Sequence, residues 1–246
     1  AAEDTRSMRK LLNIHNIPLK DRPILSYNDF NGDRVRPTIM NWLNSNMAVA
    51  YASDAGMPLI ADPGYQLSKQ AAEAGFYVTA VPGASACITA LSLSGLPTDR
   101  FFFEGFLPVS KEKRRQKLKE LSSIPSTLIF YESPKRLIKM FEDLIAIMGE
   151  NRRAVIAREL TKKFEQIISG TLGELHALIL KKPLKGELVV LLDRPLTTGL
   201  QDLDVKAELR IALSEMTLKD ASDFVASAHG LSKRYVYNLA LSMREN

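Results

Sequence analysis

The sequence predicts an α/β fold in which short apolar strands alternate with helices. Strand candidates rich in Val, Ile, Leu and Tyr span residues 47–52, 76–81, 127–131, 154–157 and 187–192. Helical patterns lie between them, and three of these patterns stop at a glycine, namely Gly75, Gly95 and Gly149. This alternation predicts a largely parallel or mixed sheet that is covered on both faces.

The helical patterns and two breaks predict how the chain is divided. Helices are expected over residues 7–15, 65–74, 84–94 and 134–148, and breaks near 96–99 and 194–199. We therefore expect an amino-terminal α/β domain over 1–98, a second α/β domain over 99–195 and a helical tail over 200–246. An α/β domain normally starts with a central strand, so the first N-terminal strand is expected to be absent from this chain.

Composition narrows the class of protein. The 246 residues are 46% hydrophobic and 25% charged, which is ordinary for a globular protein. No stretch approaches the roughly 18–20 apolar residues of a membrane span, and the first ten residues lack the apolar run of a secretory signal. One cysteine and three histidines argue against a disulfide and against a zinc site. We therefore expect a cytoplasmic protein without a metal.

The positive charge is concentrated in one segment. The net charge is +5, and residues 111–119 contain six basic residues and one acidic residue. A solvated helix face is the ordinary interpretation of such a run. A surface for a polyanionic partner is the alternative.

Loops after the predicted strands are the candidate ligand sites, because ligands of parallel α/β sheets bind outside the carboxyl ends of the strands. In the first loop, Gly56 allows a ligand to approach the main chain, and Asp54 can accept hydrogen bonds from ribose hydroxyls or an ammonium group. Four loops qualify, at residues 53–58, 82–86, 131–136 and 157–162.

Several common catalytic motifs are missing. The sequence has no G-x-G-x-x-G after a strand, no G-x-x-x-x-G-K-[ST] and no G-x-S-x-G. Nicotinamide enzymes, P-loop NTPases and serine hydrolases are therefore disfavoured.

The loop segments together resemble a known family. The run from Tyr51 to Gly64, Y-A-S-D-A-G-M-P-L-I-A-D-P-G, resembles a signature of the ribosomal RNA small subunit methyltransferase I family. Further segments match this family in the same order, and they are A-E-D-T-R at 2–6, V-P-G-A-S-A at 81–86, S-G-L-P-T-D-R-F at 94–101, E-G-F-L-P at 104–108, F-Y-E-S-P-K-R at 130–136, A-R-E-L-T-K at 157–162 and K-G-E at 185–187. The resemblance covers essentially the whole chain.

The resemblance implies a fold, a cofactor and a reaction. The family belongs to the tetrapyrrole methylases, so it implies two α/β domains with S-adenosylmethionine in the cleft between them, and a homodimer. The implied reaction is 2′-O-methylation of a cytidine in 16S ribosomal RNA near the decoding centre. Met57 departs from the threonine that the family usually has. The residues expected to surround the cofactor are Asp54, Ala55, Gly56, Pro58, Leu59, Ile60, Pro82, Gly83, Ser85, Ala86, Tyr131, Gly186 and Glu187.

The sequence offers several candidates for the catalytic residues and does not decide between them. A ribose hydroxyl is a poor nucleophile while it is protonated, so a general base is expected among Glu132, Glu159 and Asp54. Lys162 could serve only if burial lowered its pKa. Arg136 and Arg158 have the planar fork that suits a phosphate, although Arg158 and Glu159 could equally form a structural ion pair.

The RNA contacts are expected on two elements. The basic run becomes a phosphate-contacting surface once the substrate is RNA. Residues 222–239 of the tail fit a helix-turn-helix template, but residues 201–246 carry a net charge of −1, so packing or dimer support is an equal alternative. The expected RNA contacts are Lys111, Lys113, Arg114, Arg115, Lys117, Arg136, Lys233 and Arg234.

Two other functions compete with this interpretation. One is methylation of a tetrapyrrole ring carbon, which the basic run and the helical tail disfavour. The other is an inactive RNA-binding factor of ribosome assembly.

Overall fold

The computed structural model describes residues 1–195, 199–229 and 231–244. It contains two compact units, Ala1–Arg194 and Pro195–Asn246. The expected boundary near residue 98 lies inside the first unit, and the division of that unit into two domains stays a prediction.

The first unit contains seven helices and five strands among its described residues. The helices are α1 (Thr5–Ile14), α2 (Gly32–Asn44), α3 (Tyr65–Glu73), α4 (Ala86–Ser94), α5 (Lys111–Ser122), α6 (Pro134–Met148) and α7 (Leu172–Lys181). The strands are β1 (Phe101–Phe106), β2 (Thr127–Glu132), β3 (Arg153–Arg158), β4 (Gln166–Thr171) and β5 (Leu188–Leu192).

The five strands form one mixed sheet in the order β1-β2-β5-β3-β4. Strand β1 pairs in parallel with β2, and the other three pairings are antiparallel. Alternate residues of β2, β3 and β5 face opposite sides, as the two-residue period of a strand requires. One set packs with α5, α6 and α7 around Phe130 and Phe141, and the other packs with α4 around Ile129 and Leu191. The expected mixed sheet with two covered faces is therefore confirmed.

Two predicted strands are wrong. Residues 47–52 and 76–81 belong to no strand or helix, and only Ala52 among them forms a bridge, with Ala2. The N–H groups of residues 77–81 have no backbone partner among the described residues, and Tyr77 and Val81 are 90% and 87% exposed. Apolar composition predicts the extended conformation, but a strand also needs a neighbour for its hydrogen bonds.

Strand β4 was not expected from the sequence. It is an edge strand, and its pattern of exposed and half-buried residues lacks the apolar run that marks the central strands. Its existence depends on pairing with β3, from Arg153 with Thr171 to Arg158 with Gln166.

The second unit is helical, as the sequence predicts. It contains α8 (Gly199–Glu215), α9 (Leu218–His229) and α10 (Lys233–Arg244), which share a core that includes Val205, Val225 and Val236. Thr217 caps α9, since its hydroxyl accepts from the Asp220 N–H and donates to the Asp220 carboxylate at 2.6 Å. Gly230, the expected turn residue, lies outside the described residues.

Candidate cofactor and RNA site

The ends of three strands meet at one edge of the sheet. In the register of the ladder, Glu132 at the end of β2 lies beside Leu188 at the start of β5, and Leu188 lies beside Arg158 at the end of β3. The segments 131–136, 157–162 and 185–187 are therefore brought together by hydrogen bonds of the backbone alone.

The two loops of the amino-terminal half are joined to each other. The Met57 N–H donates to the Ala84 carbonyl at 2.8 Å, which ties residues 53–58 to residues 82–86. Gly56 has a φ of +73°, and a Cβ there would lie 3.0 Å from the Ala84 oxygen. Any other residue at this position would have a strained backbone, and its Cβ would lie too close to the Ala84 oxygen. Both reasons explain why the residue is glycine.

Tyr131 connects these loops to the sheet. Its hydroxyl accepts from the Cys87 N–H at 3.2 Å, in the first turn of α4 directly after residues 82–86. Its ring stacks edge-on against Phe103 and Phe106, at centroid distances of 4.9 and 5.6 Å. Burial raises the pKa of Tyr131 to about 12, so the phenol is neutral at physiological pH. Three of the predicted cofactor segments are therefore linked by direct contacts.

The chemistry of these segments fits S-adenosylmethionine. The carboxylate of Asp54 is exposed and has no hydrogen-bond partner among the described residues, so it is free to accept from an ammonium group or a ribose. A Cβ on Gly83 would meet nothing closer than 3.8 Å, which leaves its main chain open to a ligand. Glu3 was not predicted here, yet its carboxylate accepts from the Asp54 N–H at 3.0 Å and holds the loop in place.

A large groove of about 740 Å³ lies beside this site but does not coincide with it. Its walls include residues 49–53 and 76–81, whereas most predicted cofactor residues lie outside it. Only Gly56, Pro58 and Leu59 of those residues line the groove.

Glu159 belongs to a closed network with the 185–187 turn. Its carboxylate accepts from the Glu187 N–H at 2.9 Å and from Lys162 Nζ at 3.2 Å, and Lys162 also pairs with Glu187 at 2.9 Å. The Glu187 N–H and Lys162 together lower the pKa of Glu159. Gly186 has a φ of +91°, and a Cβ there would lie 2.5 Å from the Glu159 carboxylate. Glu159 is thus held by Lys162 and the Glu187 N–H, and the described residues contain no Arg158–Glu159 ion pair.

Arg158 and Lys162 are engaged in the same network. Arg158 donates to the Lys185 carbonyl at 2.6 Å and to Gln166 Oε1 at 2.9 Å. The pKa of Lys162 is raised, chiefly by Glu187 and also by Glu159, whereas a lysine base needs a lowered pKa. The suggestion that Lys162 is a base is therefore corrected.

Glu132 differs from Glu159 in burial and in hydrogen bonding. It is 3% exposed, and its Oε1 accepts from the Ser133 N–H at 2.7 Å and lies 3.3 Å from Arg136 Nε. Its Oε2 has no hydrogen-bond partner among the described residues. Burial raises the pKa of Glu132 despite the Ser133 N–H and Arg136, which act in the opposite direction. Arg136 in turn donates to the Leu107 carbonyl at 2.5 Å, so this pair ties β2 to the segment after β1.

The basic run forms α5, and its cations differ in burial and in pairing. Arg114 is 5% exposed, and it donates to Asp143 and to the Val109 carbonyl. This corrects the expected RNA contact at Arg114, because a buried guanidinium with these partners is not presented to a phosphate. Lys111 and Lys113 are exposed without an ion pair among the described residues, while Arg115 and Lys117 lie within 4 Å of acidic partners.

The predicted contacts of the second unit lie on α10. Lys233 pairs with Asp223 of α9 at 2.8 Å, whereas Arg234 is exposed. Across the described residues, no helix is both long and apolar enough to traverse a bilayer, and no group of three or more His, Cys, Asp or Glu side chains is arranged to hold a metal ion.

Two family profiles match this chain. The profile described as "Tetrapyrrole (Corrin/Porphyrin) Methylases" matches residues 8–176, and the profile described as "RsmI C-terminal HTH domain" matches residues 200–244. Solved structures with this fold include the methyltransferase CobJ (TM-score 0.53, 17% identity, 77% of this chain and 86% of that chain). Diphthine synthase is similar to the same degree (TM-score 0.54, 17% identity, 75% of this chain and 73% of that chain).

Sequence relatives are much more similar. "Ribosomal RNA small subunit methyltransferase I" of Escherichia coli O157:H7 is 41% identical, over 99% of this chain and 85% of that protein. The protein of the same name from Vibrio cholerae serotype O1 is 42% identical, over 98% of this chain and 84% of that protein. The chain therefore belongs to the ribosomal RNA small subunit methyltransferase I family, within the tetrapyrrole methylases.

Proposed function

We propose that this protein methylates the ribose 2′-hydroxyl of a cytidine in 16S ribosomal RNA, near the decoding centre. The methyl donor is S-adenosylmethionine. The observation that carries the proposal is the joined set of residues 53–58, residues 82–86 and Tyr131, linked through the Met57–Ala84 and Cys87–Tyr131 hydrogen bonds. Similarity to small-subunit methyltransferases over 98–99% of the chain supports ribosomal RNA as the substrate.

Residues on both sides of these links would hold the cofactor. Asp54 offers a free carboxylate, and the exposed main chain of residues 82–86 offers N–H and carbonyl groups at close range. When bound, S-adenosylmethionine supplies a methyl group carried on a sulfonium sulfur. That sulfur leaves as a neutral thioether once the methyl group is transferred. The protein's part is to hold the ribose oxygen in line with that methyl group and to accept the hydroxyl proton.

Glu132 is the better candidate for the proton acceptor. One of its carboxylate oxygens has no partner, and a raised pKa makes a carboxylate a stronger base at neutral pH. The pKa of Glu159, in contrast, is lowered by the contacts that hold the 185–187 turn. We therefore assign Glu159, Arg158 and Lys162 to positioning that turn.

The RNA would be held by cations of α5 and α10 and by Arg136. We retain Lys111, Lys113, Arg115 and Lys117 on α5 as phosphate contacts, together with the half-buried Arg136. On the second unit, Lys233 and Arg234 are retained, and packing or dimer support stays the alternative for this unit. The expected partner is the small ribosomal subunit, so the proposal includes a cytoplasmic location. It also includes a homodimer.

Ribose methylation of isolated small subunits tests the proposed function. Subunits from cells that lack the protein should gain one 2′-O-methyl cytidine after incubation with the purified protein and S-adenosylmethionine. Calorimetry should show binding of the cofactor in the same preparation. Cofactor binding without methylation of the subunit would contradict the proposal and would favour either a tetrapyrrole substrate or an inactive assembly factor.

The roles of the two glutamates are tested by matched Glu→Gln variants. Glu132→Gln should lower kcat by about 100-fold or more and remove the acid limb of the pH–rate profile. Glu159→Gln should mainly weaken cofactor binding while that limb is kept. If Glu132→Gln kept the acid limb, Glu132 would be a positioning residue rather than the base.

A further inference from the structure

Helix α1 presents a basic face that the predicted RNA contacts leave out. Residues 5–22 contain five basic residues and one acidic residue, so this segment carries a net charge close to that of the run on α5. At 3.6 residues per turn, Arg6, Arg9, Lys10 and Asn13 fall on one face of α1.

The cations on this face are available to a partner. The side chains of Arg9 and Lys10 are exposed and form no ion pair or hydrogen bond among the described residues. The side chain of Arg6 pairs with Asp4. This contrasts with α5, where Arg114 is buried against Asp143. No residue of α1 is buried, and Leu11 and Ile14 are 50% and 63% exposed. The helix therefore has few contacts within the chain itself.

The position of α1 relates it to the proposed cofactor site. Asp4 caps the helix by accepting from the Arg6 N–H at 2.7 Å, and the preceding Glu3 accepts from the Asp54 N–H at 3.0 Å. Lys10 lines the same small groove, of about 210 Å³, as Ser53 and Asp54. A nucleotide whose ribose approaches residues 53–58 would thus carry its neighbouring phosphates past the basic face of α1.

We infer that α1 is a further phosphate-contacting surface, on which Arg9 and Lys10 bind the RNA backbone beside the acceptor nucleotide. This inference rests on the proposed function and extends it to residues outside α5 and α10. The positive charge favours RNA over a protein partner, since unpaired cations at an apolar protein interface would have to lose their hydration. Arg9 and Lys10 position the substrate and do not touch the reacting atoms.

The test compares Arg9→Glu/Lys10→Glu with a matched control, Lys139→Glu/Arg153→Glu. The control removes the same charge from exposed positions that have no ion pair among the described residues, on α6 and at the amino end of β3. For a fixed RNA oligonucleotide, the Kd of the α1 variant should be about 10-fold higher or more. The slope of log K against log salt concentration should become shallower by about 1–2, because each lost phosphate contact reduces this slope by roughly 0.7–0.9. The control should match the unmodified protein.

Further measurements separate this inference from its alternatives. The α1 variant should bind S-adenosylmethionine normally, unfold at the same temperature, and raise KM for small subunits while kcat changes less than about 2-fold, as expected for uniform binding. Arg9→Gln/Lys10→Gln should show a smaller effect in the same direction.

An unchanged salt slope in the Arg9→Glu/Lys10→Glu protein would overturn the inference. So would an equal loss in the control, or a loss of RNA binding that accompanies a change of oligomeric state, since the latter would mark α1 as a protein interface. If the unmodified protein binds the oligonucleotide but does not methylate small subunits, the proposed function fails while the α1 comparison still gives an answer.

Discussion

Tyr131 and Glu132 lie at the end of a strand that is hydrogen-bonded on both sides, whereas residues 53–58 follow a segment in which only Ala52 is bridged. The carboxyl-terminal half of the first unit, residues 101–192, therefore holds its part of the site through a continuous ladder. The amino-terminal half, residues 1–94, holds its part through single contacts such as Met57–Ala84 and Glu3–Asp54. Sheet geometry therefore sets one side of the candidate site, and a few loop contacts set the other.

The buried Arg114–Asp143 pair should give the largest effect on stability. Arg114→Ala leaves the Asp143 carboxylate buried without its main partner, so unfolding by denaturant should show a loss of about 3–5 kcal/mol. The matched change in the amino-terminal half is Asp33→Ala, which breaks the exposed Arg36–Asp33 pair and should cost about 0–1 kcal/mol. Equal losses for the two variants would contradict the contrast between the halves.

Gly186→Ala should give the next largest effect. The backbone there has a φ of +91°, and the new Cβ would overlap the Glu159 carboxylate, so we expect a loss of about 1–3 kcal/mol and weaker cofactor binding. Gly75→Ala is the control, since Gly75 has a similar φ of +82° and open space around its Cβ position. The difference between the two variants isolates the Glu159 contact, and a difference of zero would show that the turn shifts freely.

The raised pKa of Glu132 predicts a smaller effect that depends on pH. A carboxyl group whose pKa is higher in the folded state than in the unfolded state destabilises the fold once it is ionised. The free energy of unfolding of the unmodified protein, relative to Glu132→Gln, should therefore decrease as the pH rises from the unfolded pKa through the folded pKa. It should be constant above that range. Denaturant unfolding at several pH values measures this, and a constant difference throughout would contradict burial as the cause.

The smallest effect concerns Asp4 at the start of α1. Its hydrogen bonds from Arg6 lower its pKa to about 2, so its stabilising effect is present above the unfolded pKa of about 3.9 and is lost as the pH falls through about 2. The protection of the α1 amides from hydrogen exchange, measured by NMR, should decrease as the pH falls over this range, while β2 and β5 stay protected. Asp4→Ala should remove the pH dependence of exchange in α1, and its persistence would assign the effect to another group.

The sequence predicted most of the sheet half correctly. The strands over 127–131, 154–157 and 187–192 and the helix over 134–148 are found within one or two residues of their expected bounds. These elements are apolar where they are buried, so their local pattern and their tertiary environment agree. The sequence failed at residues 47–52 and 76–81, where strand formation depends on pairing partners and not on composition.

The candidate site was predicted in part. The loops and their residue types were visible from the sequence, because glycines and charged residues directly follow apolar strands. The partners of those residues were not visible. Glu159 was a candidate base until its carboxylate was found against Gly186 and Glu187, and Arg114 was an RNA contact until Asp143 was found beside it.

The sequence by itself determined the family, the central strands β2, β3 and β5, helix α6 and the positions of the loops. Only the tertiary structure decided which charged groups are buried or paired. It thereby distinguished the buried Glu132 from Glu159, and the unpaired cations of α1 from the buried Arg114 of α5. The physical reason is that secondary structure follows from local periodicity, whereas the state of a charge is set by burial and by neighbours far away in the chain. Arg114 and Asp143 are 29 residues apart, and Glu159 and Glu187 are 28 apart.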